Sequence, residues 1–549
     1  MLKIIFFVVL AIFIVWGVFR YIKSVRLNKF FNLCRTGSAQ QVADALKAGV
    51  DIHAKDQDGG TVLMWAAVQN PEVIKTLLDA GADINDKANN GLTALMLAAG
   101  NNQNPEVIKT LLEAGADINA QDKYGGTALM LAAINNNQNP EVIKTLLDAG
   151  ADINDKANNG LTALMLAVNK NPEVIKTLLD AGADINAQDK DGWTALMWAA
   201  DQNPEVIKTL LETGADINAK DEDGLTALMV AAGQNPEVIK TLLDAGADIN
   251  AKANNGRTAL MGAASNNQNR EVIKTLLDAG ADINAKDEDG LTALMLAAGQ
   301  NQNPEVIKTL LDAGADINAK DEDGLTALML AAGQNPEVIK TLLEAGANIN
   351  AKAKEGLTAL MLAAGQNQNP EVIKTLLEAG ADINAQNQDG WTALMVAADQ
   401  NLNPEVIKTL LDAGADINAQ DKDGNTALIE TAIYNRSPEV IKMLLDAGAD
   451  INVKTYADVT ALMWAASNNQ NPEVIKTLLD AGADINAQDK DGGTALMWAA
   501  SNNQNPEVIK TLLEAGADVN AKNNDGKTAL EYAQDNSNAE IIKLLEKFS

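Results

Sequence analysis

A unit of 32 to 35 residues, repeated with little change, restricts what this chain can fold into more than any other feature. The copy from Thr226 to Ala251 reads Thr-Ala-Leu-Met-Val-Ala-Ala-Gly-Gln-Asn-Pro-Glu-Val-Ile-Lys-Thr-Leu-Leu-Asp-Ala-Gly-Ala-Asp-Ile-Asn-Ala. Its leading threonine recurs at Thr61, Thr93, Thr127, Thr162, Thr194, Thr226, Thr258, Thr292, Thr326, Thr358, Thr392, Thr426, Thr460, Thr494 and Thr528. A fixed period of this size is the mark of stacked supersecondary units, not of one globular core. The 549 residues therefore carry little information about domain number, because each unit in such a stack touches only its neighbours.

Within a unit the local signals agree. Thr226 is placed to cap a first helix, with Leu228, Ala231 and Ala232 forming a narrow apolar stripe at i, i+3, i+4. Gly233 is expected to close that helix in a left-handed conformation. Asn235-Pro236-Glu237 then supplies a cap, a proline at the first helical position and an acid in the first turn. Val238, Ile239, Leu242 and Leu243 give the second helix its buried face, and Gly246 ends it. Asp-x-Asp-Gly or Asn-Asn-Gly turns, such as Asp221-Glu222-Asp223-Gly224, lead into the next threonine. Each unit reads as helix, turn, helix and a β-turn finger.

These residues resemble the ankyrin repeat, whose pattern runs Thr-Pro-Leu-His-x-Ala-Ala, Glu-Val-Val-x-x-Leu-Leu and Gly-Ala-Asp-Val-Asn. The matching positions here read Thr-Ala-Leu-Met-x-Ala-Ala, Glu-Val-Ile-Lys-Thr-Leu-Leu and Gly-Ala-Asp-Ile-Asn, from Asn28 almost to Ser549. The resemblance implies an all-α ankyrin-repeat solenoid of about 16 helix-turn-helix units with β-turn fingers. Two departures are systematic. Proline moves from the position after threonine to the second helix, as at Pro71, Pro105, Pro172 and Pro236. The family histidine becomes methionine in 13 copies, which forfeits the polar links that histidine would make between repeats. Inter-helix loops vary between Gly-Gln-Asn-Pro and Gly-Gln-Asn-Gln-Asn-Pro, and such insertions are expected on one face.

Residues 28–60 read as an N-terminal capping repeat, 61–527 as the regular array and 528–549 as a C-terminal capping repeat. Before them, Ile4 to Phe19 is an unbroken apolar run that a helix would extend to about 24 Å. Residues 1–22 are therefore expected to form one N-terminal transmembrane helix or signal-anchor, with 23–27 a short basic linker. A cleaved signal peptide and a buried helix are the alternatives, although no small-x-small site comes directly after the run. Arg20, Lys23, Arg26 and Lys29 after the run favour a cytoplasmic array, while a short basic start also suits export of the repeats.

Because repeated residues build the stack, positions where copies differ are the candidates for function. Trp65, Trp198, Trp464 and Trp498 share the position four after the repeat threonine, about 200° from the core leucine. Leucine occupies it in many other copies, so the tryptophans either stack laterally or anchor a partner. Trp193 and Trp391 directly precede the threonine, on fingers, and Trp193 with Trp198 in one repeat makes the best anchor pair. Finger acids, including Asp191, Asp223, Asp289 and Asp323, form an acidic ladder. A calcium loop would need further ligands where Ala187 and Trp198, or Ala219 and Val230, stand, so turn formation with a solvated acidic rim is expected. The Thr426 copy is irregular: Glu430 and Thr431 replace apolar or small residues, Tyr434 enters its loop, and Tyr456 lies on a finger without glycine. Drift, a specific contact or a local bend each account for it.

Net charge of −31 repels nucleic acid and favours partners with a basic surface. One histidine, His53, and one cysteine, Cys34, leave little material for catalysis or a metal site, and both read as structural. No nucleophile elbow, P-loop or dinucleotide fingerprint is present, so no cofactor and no small-molecule substrate is expected. The expected function is a membrane-tethered scaffold that binds proteins through its concave face and fingers. The alternatives are a structural or elastic spacer, favoured by near-identity among copies, and an exported effector acting on another cell's proteins.

Overall fold

The computed structural model describes residues 27–548, apart from 102–103, 135–139, 169–171, 201–203, 234, 267–268, 302, 334, 401–402, 435–436 and 537. Regular structure among the described residues is helical, with an isolated antiparallel bridge between Lys55 and Thr61. Two helices, 27–36 and Ala39–Lys47, precede the first regular copy. Among the described residues no helix is long and apolar enough to cross a membrane. The apolar run at 4–19, expected from its hydropathy to form a transmembrane helix, lies outside the described residues.

The chain packs as two units, one running to Ala259 and taking in Asp278–Ala281, the other made of Leu260–Leu277 and everything from Asp282. In the first unit, the Thr226 copy pairs helix Ala227–Ala231 with helix Pro236–Asp244. The Thr226 hydroxyl accepts from the Met229 N–H at 3.4 Å, and Asn235 accepts from the Glu237 N–H at 2.9 Å, so both caps are made. Leu228, Ala231 and Ala232 are buried against Val238, Ile239 and Leu242 of the second helix. Gly233 departs from expectation. The first helix ends on Ala232 at φ −60°, ψ −21°, with its N–H bonded back into the helix, so no left-handed residue is required there. That conformation is used instead at Gly246, φ 93°, and at the finger glycine Gly224, φ 78°.

First-helix length varies between copies, and the 32-residue Thr61 copy already has 8 residues in its first helix, Val62–Gln69. In the 32-residue copies starting at Thr162, Thr194, Thr226 and Thr326 the first helix has 5 residues. In the second unit's 34-residue copies it reaches 8, as at Ala293–Gln300 and Ala461–Asn468. The added residues are not a loose insertion. Asn301, Asn367, Asn469 and Asn503 are buried and donate to the carbonyls of Ala264, Ala332, Ala432 and Ala466 in the preceding copy, at 2.8 to 3.1 Å. Each thereby joins two repeats through a satisfied buried amide.

The polar links expected to vanish with the family histidine are supplied in other ways. The methionine sulfur accepts from the backbone N–H of its own threonine, at 3.3 Å for Met64 and 3.4 Å for Met295 and Met463. A thioether is a weak acceptor, and in the last copy Glu531 does the same with a carboxylate at 2.7 Å. Between repeats the asparagine of Gly-Ala-Asp-Ile-Asn takes over. Asn186 accepts from the Asp216 N–H at 2.8 Å in the first unit, and Asn418 accepts from the Asp450 N–H at 2.9 Å in the second.

Candidate functional site

The first acid of each Asp-x-Asp-Gly finger is built into its turn. One Asp189 oxygen accepts from the N–H groups of Asp191 and Trp193, at 3.0 and 2.9 Å. Its other oxygen accepts from the Trp198 indole, nine residues on, at 3.1 Å. Asp56 holds Trp65 at 2.8 Å and Asp489 holds Trp498 at 2.7 Å in the same way. The second acid serves the stack through its backbone. The carbonyls of Asp191, Asp223, Asp289 and Asp323 accept from the next finger's N–H at 2.7 to 3.1 Å, leaving their carboxylates exposed. Asp323 also meets the Lys354 ammonium at 3.3 Å. Fingers stack closely enough that a Cβ on Gly192 would lie 2.8 Å from the Glu222 nitrogen.

The tryptophan ladder divides into three local settings. Trp65 lies 5.6 Å from Phe31 and 5.9 Å from the Arg35 guanidinium, beside a pocket of about 280 Å³. Trp193 and Trp198 pack 5.2 Å apart at 54°, and Trp198 is 36% exposed with its N–H satisfied. Trp464 and Trp498 pack edge to face at 5.3 Å. Here the pattern breaks. The Trp464 indole N–H is buried and has no acceptor. The residue five before its threonine, aspartate in the satisfied copies, is Thr455. That hydroxyl accepts from the Ala457 and Val459 N–H groups at 3.3 and 3.1 Å, and threonine has no second oxygen for the indole.

Other departures gather around it. Glu430, on helix Ala427–Tyr434, occupies the ladder position held elsewhere by leucine or tryptophan. It is 4% exposed, and no described side chain hydrogen-bonds or ion-pairs with its carboxyl. Burial, with added repulsion from Asp421 and Asp399, pushes its pKa up to about 7. The Thr426 hydroxyl oxygen is buried without a partner. At the glycine position of the next finger stands Asp458, at φ 60°.

Glu430, Thr455 and Trp464 line a groove of about 1020 Å³ in the second unit. Its aromatic walls are Trp391, Tyr434, Tyr456, Trp464 and Trp498; Tyr434 and Tyr456 are 62% and 60% exposed. Six carboxylates face it, those of Asp399, Asp421, Asp423, Glu430, Asp489 and Asp491, against one lysine, Lys490. The structure thus brings together five of the aromatic residues singled out from sequence and holds Trp65, Trp193 and Trp198 elsewhere. Asp399, Asp421 and Thr455 were not among the candidate site residues, and Glu430 stood out only as an irregularity of its copy. The signal for Thr455 was present, since tryptophan four after the threonine otherwise coincides with aspartate five before it. Cys34 is buried and its thiol is pushed up to about 12, which suits a packing role.

A family model described as "Ankyrin repeats (3 copies)" matches residues 30–122, 101–189, 129–221, 169–253, 213–287, 260–353, 294–387, 360–455 and 462–548. Comparison with curated proteins gives no match.

Proposed function

This chain belongs to the ankyrin-repeat family, and from that premise we propose that it is a membrane-tethered interaction scaffold for proteins with a basic surface. Ankyrin repeats are interaction modules, and nothing in the geometry of the described residues gathers a nucleophile, base and oxyanion donor into a catalytic arrangement. The observation that carries the reading is the groove at the Thr426 copy, where six carboxylates and five aromatic rings converge. Aromatic rings supply contact area at little conformational cost, and a negative field steers cationic surfaces toward it. The exposed acids of the finger rim, among them Asp191, Asp223, Asp289 and Asp323, extend that field over both units.

The apolar run at 4–19 is the proposed tether, with Lys3 and Arg20 at its ends. A reporter fused after Ser549 and active on one side of the membrane only would fix topology, and with it the choice between a cytoplasmic scaffold and an exported effector.

Near-identity of the copies favours a spacer as the second reading, since length alone would then matter. Titration of the full chain with a lysine-rich polypeptide at rising salt separates the two. The scaffold reading expects saturable binding that weakens as salt screens the groove and rim. If the chain binds no polycation even at low salt, the basic-partner reading falls and the spacer is favoured.

A further inference from the structure

Glu430 poses a chemical problem that the isolated chain leaves open. A glutamate whose residue is only 4% exposed ordinarily has a donor for its carboxylate, because desolvating an unpaired charge is disfavoured. No described side chain provides one. The nearest charges named for it, Asp421 and Asp399, are themselves acidic. Asp421 is committed to its turn, accepting from the Asp423 and Asn425 backbone N–H groups and the Asn425 side-chain amide at 2.7 to 3.2 Å. The next finger adds Asp489, Lys490 and Asp491 across the groove, and Asp489 is likewise committed to Trp498 and its own turn. Asp399, Asp423 and Asp491 are uncommitted too but stand at half-buried or exposed positions, so among the described residues lining the groove Glu430 is the buried acid left free to accept.

We propose that the groove receives a lysine or arginine side chain of a basic polypeptide, whose N–H groups donate to Glu430 while its alkyl stem lies against the aromatic walls. This rests on the interaction-scaffold reading and names the chemistry of its partner. The surrounding rings suit a cationic side chain, through their negative faces and through apolar contact with a methylene stem. A divalent ion fits less well. It asks for six or more oxygens close together, and among the described residues no three acids, histidines or cysteines are arranged to hold one. A quaternary ammonium would meet the rings but could not donate to Glu430. The orphaned Trp464 indole remains available to a partner's backbone carbonyl, which a small free cation lacks.

Protonation of Glu430 opposes the pairing. Burial, with repulsion from Asp421 and Asp399, pushes its carboxyl up to about 7, so the acceptor form predominates at pH 8 and is the minor form at pH 6. Apparent affinity scales with the competent fraction and should drop about tenfold over that interval, in which lysine and serine do not titrate.

The test uses the full chain and a capped dodecapeptide of alternating lysine and serine, titrated calorimetrically at pH 8 and pH 6. Parallel titrations use acetyl-lysine and trimethyl-lysine counterparts. At pH 8 the lysine peptide should bind at least about tenfold tighter to the natural chain than to Glu430→Gln. The Glu430→Gln chain should lose the pH dependence, and the acetylated peptide should bind neither. Tyr456→Ala, on an exposed finger and retaining the backbone N–H bond to Asp423, should weaken binding several-fold as an independent readout. Saturable binding that ignores Glu430→Gln and pH would overturn this assignment and leave the scaffold reading intact. Tighter binding of the trimethyl-lysine peptide would also overturn it, as a cage with no use for an acceptor. Absence of binding by any cationic peptide would remove the basic-partner reading itself.

Discussion

The Trp193–Trp198 pair and the Trp464–Trp498 pair each hold two indoles about 5 Å apart but differ in how those indoles are satisfied. The first sets a finger residue against a first-helix residue of the same repeat, and the second sets one first-helix position of two adjacent repeats side by side. In the first, Asp189 satisfies the turn and the Trp198 indole together. In the second, Thr455 satisfies the turn alone, and the neighbouring ladder position holds an unpaired glutamate. A sequence optimised only for stacking would not keep these departures, since each opposes folding. The first pair shows how the repeat is completed from within. The second is a repeat left incomplete, with its open valences turned toward one groove.

The contrast can be broken most forcefully at Glu430. Replacing it by the leucine found in sister copies should stabilise the Thr426 copy by roughly 3 kcal/mol at pH 8. The sign comes from the raised pKa. Between the ordinary carboxylate value and about 7 the folded chain binds more protons than the unfolded one, so stability falls as pH rises. Below that window the glutamate is neutral in both states and the gain from Glu430→Leu should shrink. Native-state hydrogen exchange of the 427–434 amides reads this locally, which matters because a long array need not unfold in one step.

Next in size is the finger acid. Asp189→Ala removes the acceptor for two backbone N–H groups and an indole, and should cost about 2 kcal/mol in exchange protection of its copy. Thr455→Ala should cost less, because only two longer hydrogen bonds depend on it.

Trp198→Phe and Trp498→Phe should each lose about 1 kcal/mol by deleting a hydrogen bond to aspartate. Trp464→Phe deletes an unsatisfied donor and should be neutral or stabilising by a similar amount. Equal losses at all three sites would erase the distinction between the pairs. A gain no larger than these, at most about 1 kcal/mol in thermal or exchange stability, belongs to Asp458→Gly, which relieves a left-handed non-glycine residue.

Much of the fold was legible because periodicity, caps and turn glycines repeat one message in every copy. Thr226, Asn235-Pro236 and Gly246 act as their spacing indicates. What escaped was interaction across elements. The asparagines of the 34-residue loops read as polar insertions, yet Asn469 and Asn503 are buried bridges between repeats. Methionine read as a loss of polar contact, yet its sulfur caps its own threonine. The irregular copy was visible as irregular, and Tyr434 and Tyr456 were singled out. That Glu430 would be buried without a donor could not be read locally. It depends on a neighbouring finger offering further acids, and on Thr455 standing where aspartate serves the indole in other copies.

The central claim is that the incomplete repeat is where a basic partner docks. Hydrogen-exchange footprinting of the full chain with and without a lysine-rich polypeptide tests it most directly. The account predicts added protection at 427–434 and 455–464, with little change at 193–198. Protection centred on Trp193 and Trp198, or spread evenly over the acidic fingers, would contradict it.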